Sequence, residues 1–187
     1  MVSSETKKYR QKRPPKPLDE AALNDLALRY VARFATTSAK LVAFLLRKLR
    51  ERGVVDGSEP IDVSAIVQRL VELKYIDNEA YAEAKANGLL RRGYGARRVE
   101  QTLRGAGIEA GIRDSLAPNE LSARHAALAM ARKKRFGAFG VELPDRALRE
   151  KQLAAMVRAG HSFDVARQLI EAHTINDAEE WAYELDE

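Results

Sequence analysis

The chain contains no cysteine, so disulfide staples, thiolate nucleophiles and cysteine-ligated zinc are excluded together. Its only histidines are His125, His161 and His173, and none sits in an H-E-x-x-H or comparable ligand spacing. No apolar run approaches the roughly 20 residues needed to span a bilayer. The N-terminal MVSSETKKYRQKRPPKP also lacks the apolar h-region of a secretory signal. A cytoplasmic chain with no membrane partner is expected. Phosphate loops are missing too. G-x-x-x-x-G-K-[ST] does not occur, and GYGARR supplies two glycines of a dinucleotide fingerprint, with Arg98 in the third place and no strand before it. With neither G-x-S-x-G nor a cysteine nucleophile, no catalytic constellation can be assembled. The sequence describes a binding protein rather than an enzyme, with no cofactor and no metal.

What the chain has is charge, at 32% of its 187 residues, unevenly placed. Residues 1–17 hold Lys7, Lys8, Arg10, Lys12, Arg13 and Lys16 against Glu5 alone, which accounts for the whole formal net charge of +5. With three prolines among them, these residues are expected to form a disordered basic tail, able to add weak, salt-sensitive attraction to nucleic acid. The remainder balances 26 basic against 26 acidic side chains, yet segregates them. Residues 18–90 carry 10 basic and 11 acidic groups, residues 91–135 carry 11 and 4, and residues 136–187 carry 5 and 11. A middle segment of +7 suits a polyanion or an acidic protein face; a solvated helical surface is the plainer reading.

The apolar period is helical from Leu18 onward. Leu23, Leu26, Ala27, Tyr30, Val31 and Phe34 form one stripe, and Leu41, Phe44, Leu45 and Leu49 form the next. A third contains Val63, Ile66, Val67 and Leu70. Thr36-Thr37-Ser38 and Asp62 are candidate N-caps, and Gly53 is a helix stop with Arg50 and Arg52 in the last turn before it. No stretch alternates like a strand, so the fold class is all-α.

The pattern repeats. RKLRERG ends at Gly53, QTLRGAG at Gly107 and AAMVRAG at Gly160, spaced by 54 and 53 residues. Each glycine comes four positions after an apolar residue, namely Leu49, Leu103 and Met156. The spacing implies a three-helix unit used three times, divided as 18–76, 77–118 and 119–187, the last ending in an acidic helix. Units this small must lean on their neighbours in a row.

Residues 90–108, LRRGYGARRVEQTLRGAGI, join two helices through Gly93 and Gly95. Val99, Leu103 and Ala106 make the buried stripe, while Arg97, Gln101 and Arg104 face solvent. Arg91, Arg92, Arg97, Arg98 and Arg104 form one candidate contact surface, and Arg132, Lys133, Lys134 and Arg135 form a second at a helix end. Guanidinium groups there can clasp phosphates or carboxylates. Tyr94 could stack on a base or pack over the neighbouring helix. His161, just after a helix stop, is expected to cap or face solvent, and Glu179–Glu180 to be solvated.

Over residues 73–116, LKYIDNEAYAEAKANGLLRRGYGARRVEQTLRGAGIEAGIRDSL, the chain resembles the RecX family, bacterial regulators of the RecA recombinase. The Tyr81-Ala82 pair, with Arg92, Gly95, Arg98, Val99, Leu103, Gly107 and Ile108, fills comparable places in the family's central block. Residues 26–53 are similar to its first block, and the stretch from RKKRFGAFG to ARQLI is similar to its third. Where the first block usually carries Ser-x-x-Glu-Leu, Ser38 here leads to Lys40-Leu41, and the basic tail is additional. The resemblance implies tandem three-helix repeats in an elongated, curved molecule. It also implies a monomeric regulator, mainly an inhibitor, that binds in the groove of the RecA–single-stranded DNA filament. There it would modulate ATP hydrolysis, strand exchange and LexA cleavage, with weak affinity for single- and double-stranded DNA. Two other readings of the residues stay open: an independent DNA-binding or nucleoid-associated helical protein, and a purely structural helical adaptor.

Overall fold

A computed structural model describes residues 16–184, so all but the last two residues of the basic tail lie outside the described part. The described chain folds into ten α-helices. They are α1 (Glu20–Val31), α2 (Ser38–Arg52), α3 (Val63–Glu72), α4 (Asn78–Arg91) and α5 (Ala96–Gly105), then α6 (Ala110–Ser115), α7 (Glu120–Lys134), α8 (Arg146–Arg158), α9 (Phe163–Glu171) and α10 (Ile175–Tyr183). Most begin on a short polar side chain that accepts one of the otherwise unpaired N–H groups of the first turn. Thr37 does so for α2, Asp62 for α3, Asp77 for α4 and Asp145 for α8. Thr174 and Asp177 complete a reciprocal capping box at α10. Among the described residues there is no strand, only a single bridge between Leu18 and Val54.

Three apolar cores succeed one another along the chain. Leu23, Leu41, Leu45, Ile66 and Leu70 lie in the first, within α1–α3. Ala82, Ala86, Leu89, Val99 and Leu103 lie in the second, within α4–α6. Leu128, Met156, Leu169, Ile170 and Ala182 lie in the third, within α7–α10. The expected stripes supply these residues, with one correction. Phe34 is 56% exposed, because α1 ends at Val31 and the helical period does not extend to the residues beyond it.

The middle core is the smallest of the three, so its helices need support from outside. That support comes end to end. Helix α5 has no side-chain cap; its N-terminal position is Gly95. Instead the Gly95 N–H donates to the Ala159 carbonyl at 3.0 Å and the Arg97 N–H to the Gly160 carbonyl at 3.1 Å. The carbonyl end of α8 thus meets the amide end of α5, and the two helix dipoles join head to tail. The other end of α5 repeats the contact with α2. There the Thr37 hydroxyl donates to the Ala106 carbonyl at 2.6 Å, and Gly107 lies against Ala39. Asn78, at the start of α4, accepts the Ser38 N–H at 3.0 Å beside this seam. Helices α8, α5 and α2 therefore form one interrupted axis through three cores.

This axis explains the glycine spacing. Gly107 and Gly160 have φ of +71° and +99°, which suits glycine, and both sit where a neighbouring helix arrives, at Ala39 of α2 and Arg98 of α5. Gly53, at the outer end of the axis, has φ +73° and nothing within 4 Å of where a Cβ would be. His161, expected to cap or face solvent, is instead 2% exposed and fixed in the seam between α5 and α8. Its Nε2–H donates to the Gly93 carbonyl at 3.0 Å, the carbonyl being able only to accept.

A Cβ at Gly95 would overlap the Gly160 carbonyl, which is backbone and cannot swing away. Gly95→Ala should therefore cost about 2 kcal/mol or more, as other core overpacking does. Gly88→Ala, in mid-α4 with open space around it, should stabilise by about 0.5–1 kcal/mol. Urea denaturation of the two variants checks the contrast. Burial also pushes the His161 pKa below its ordinary 6.5, opposed by the weaker effect of the Gly93 hydrogen bond. The unfolded chain then takes up this proton more readily than the folded one. Stability present above pH 6.5 is lost as the pH falls below it. Melting temperatures recorded from pH 7.5 downward should fall less steeply for His161→Gln than for the native chain.

Candidate partner-binding surface

The α4–α5 turn gathers the arginines. Arg91 and Arg92 close α4, where cations suit the carbonyl end of the dipole, and the Arg92 Nε–H donates to the Gly88 carbonyl at 3.0 Å. Tyr94 stands between the helices, 36% exposed, with the Arg92 and Arg98 guanidinium groups 5.8 and 6.0 Å from its ring centroid. That places the ring among cations, where its π-face helps to hold two guanidinium groups in position. Arg97 and Arg98 open α5, and both are exposed. Cations at a helix N-terminus oppose the dipole, so their placement there is a local cost. The α8 carbonyls offset it by bringing partial negative charge to the same spot.

The nine basic residues expected to make contacts are not equivalent. Arg104 pairs with Glu100 at 2.6 Å, and Arg113 reaches the same carboxylate at 3.4 Å. Arg132 pairs with Glu179 at 2.6 Å, tying α7 to α10, so Glu179 is half-buried and engaged rather than simply solvated. Among the described residues, Arg91, Arg92, Arg97, Arg98, Lys133, Lys134 and Arg135 pair with no carboxylate, and all are exposed. These seven therefore present their charge to solvent without a described carboxylate beside it.

One contact relates the two clusters. Gly93 has φ +83° and lies against the Met130 backbone of α7, two residues before Arg132. The α4–α5 turn and the last turn of α7 are therefore neighbours, although they are far apart in sequence. Arg158, exposed in the last turn of α8 two residues before Gly160, joins the same seam. In the sequence it stands alone in an acidic segment, and its place before the third repeated glycine is the one local sign of this position. No group of carboxylates and histidines among the described residues could hold a metal, and none of their helices is long and apolar enough to cross a membrane.

Comparison with known proteins gives a consistent result. A family described as "RecX, second three-helix domain" matches residues 77–115. The chain is 34% identical over 175 residues to the regulatory protein RecX of Myxococcus xanthus, covering 89% of this chain and 94% of that one. It is 31% identical over 147 residues to the regulatory protein RecX of Halorhodospira halophila, covering 78% and 84%. Both names denote regulators rather than enzymes. The crystal structure of RecX from Lactobacillus salivarius superposes with a TM-score of 0.59 at 19% identity, over 78% of this chain and 90% of that one. A second RecX crystal structure gives 0.61 at 22%, over 81% and 71%. At those identities the structures speak for the fold alone.

Proposed function

This chain belongs to the RecX family, and on that premise we propose that it regulates the RecA recombinase. It acts mainly as an inhibitor, lying in the groove of the RecA–single-stranded DNA filament and modulating ATP hydrolysis, strand exchange and LexA cleavage. The observation that supports this reading best is the α8–α5–α2 axis. Three small cores joined at helix ends, one joint closed by backbone hydrogen bonds and the other by the Thr37 hydroxyl, offer surfaces in series, as a helical filament does. Modest contacts engaged at once then sum to strong binding.

In this reading residues 18–76, 77–118 and 119–187 are the units that meet successive stretches of filament. Arg91, Arg92, Arg97, Arg98 and Arg104, with Arg132, Lys133, Lys134 and Arg135, face acidic recombinase surface or the DNA backbone. Arg97 and Arg98 lead, because no carboxylate among the described residues pairs with them and the Arg97 N–H is held by the carbonyl end of α8. The protein works as a monomer in the cytoplasm and binds bare DNA only weakly.

Titrated well below one copy per RecA, the protein should suppress both single-strand-dependent ATP hydrolysis and strand exchange. Arg97→Glu combined with Arg98→Glu should raise the concentration required by about tenfold or more, since like charges then face each other across the contact. Circular dichroism should show both proteins equally folded. Unchanged inhibition by the double variant would remove the arginine surface from the assignment. No inhibition by the native chain, alongside tight and steeply salt-dependent binding to bare DNA, would favour the nucleoid-associated reading.

A further inference from the structure

At the opposite end of α4 from the arginines, five aromatic residues collect. Tyr30 stacks on Phe44 with centroids 4.3 Å apart and planes inclined by 29°, and Phe34 continues the series 5.2 Å from Tyr30. Phe34 then lines an open groove of about 590 Å³ together with Tyr75 and Tyr81. The groove lies between the end of α1, the α3–α4 turn and the first half of α4. Phe34 and Tyr75 are 56% and 59% exposed, a large apolar exposure for two neighbouring rings.

Cations surround these rings. Lys74 and Lys85 line the groove. Lys40 is hydrogen-bonded to the Tyr81 hydroxyl and lies 4.7 Å from its ring centroid. The one carboxylate in the lining, Asp77, already accepts the Ala80 N–H at the start of α4. Lys74 holds φ +60°, a left-handed conformation that glycine would adopt without strain. Ending α3 does not require an ammonium group there.

We propose that this groove is a stacking site for an unpaired base of single-stranded DNA, with Lys74 and Lys85 taking the flanking phosphates. Its apolar lining is mostly aromatic and alanine, giving flat π-faces rather than the branched aliphatic holes that receive a partner helix. Phe34 leans on Tyr30 at 51° and Tyr30 stacks on Phe44, so the Phe34 ring offered to an incoming base is already held in place and costs little to order. Every base has a π-face, so the site reads strandedness and not sequence. The choice of DNA over RNA rests on the recombinase reading; the groove chemistry itself does not.

The binding test uses the full chain and no recombinase, and filament inhibition is measured beside it. Fluorescence anisotropy measures binding of a labelled oligothymidylate of about ten nucleotides, within the usual reach of such platforms, and of a duplex of equal length. Phe34→Ala combined with Tyr75→Ala should weaken single-strand binding about tenfold and leave duplex binding unchanged. Lys74→Gly should weaken single-strand binding several-fold, roughly the effect of one phosphate contact, while holding or raising the melting temperature. Ultraviolet crosslinking should place thymine on the peptide carrying Phe34 or Tyr75. The proposal is overturned if the native chain does not bind the oligonucleotide, if the aromatic double variant binds it as well as native, or if duplex affinity falls equally. It is also overturned if that variant loses filament inhibition while keeping oligonucleotide affinity, which would make the groove a protein-docking surface. Failure of the native chain to inhibit the filament would sink the recombinase reading and leave the oligonucleotide result standing.

Discussion

Helix α5 begins on the carbonyls that end α8 and ends on the hydroxyl that caps α2, and the rest of the molecule is arranged around that fact. An isolated ten-residue helix is marginal in water, and its unpaired terminal amides and carbonyls are much of the reason. Here the carbonyls ending α8 satisfy the amides at one end, and the Thr37 hydroxyl satisfies a carbonyl at the other. The middle core can then remain small. The same requirement excludes a Cβ at Gly95, Gly107 and Gly160, because each lies where two chain segments touch. It also buries His161, whose ring ties α9's approach to the α4–α5 turn.

The arginine surface inherits its order from this seam. Arg97 and Arg98 stand at a helix start where cations are normally disfavoured, and the neighbouring carbonyls make the position tolerable. Tyr94 keeps company with Arg92 and Arg98, and Gly93 brings the last turn of α7 alongside. Packing and charge display are thus coupled: a change that loosened the seam would scatter the cations as well as weaken the fold.

Much of this was legible in the residues. The stripes Val63–Leu70 and Val99–Ala106 gave the buried faces, because amphipathic periodicity is a local property. Thr37 and Asp62 gave helix starts, because capping acts over three residues. The glycine spacing gave the repetition, though not its cause; a glycine's local pattern is the same whether it ends a helix in solvent or abuts another backbone. His161 was misread for that reason, since the carbonyl it meets is 68 positions away in sequence. The pairing of Arg132 with Glu179 was hidden likewise, as was the convergence of Phe34, Tyr75 and Tyr81 on one groove. Each depends on which elements become neighbours, which periodicity does not encode.

The two outer ends of the axis differ from its interior. At Gly53 the carbonyl accepts the Leu18 N–H at 2.9 Å, and the Val55 N–H donates back to Leu18 at 3.1 Å, so the chain's own entry segment occupies the place where another helix would join. At the start of α8, Asp145 accepts the Leu148 N–H at 2.7 Å, a role that elsewhere on the axis is shared with or ceded to a neighbouring helix. The joint that repeats inside the molecule is therefore withheld at both extremities. In the filament reading proposed above, such an array has a set length: it spans the same stretch each time, as a ruler does, and does not grow along the filament as a polymer would.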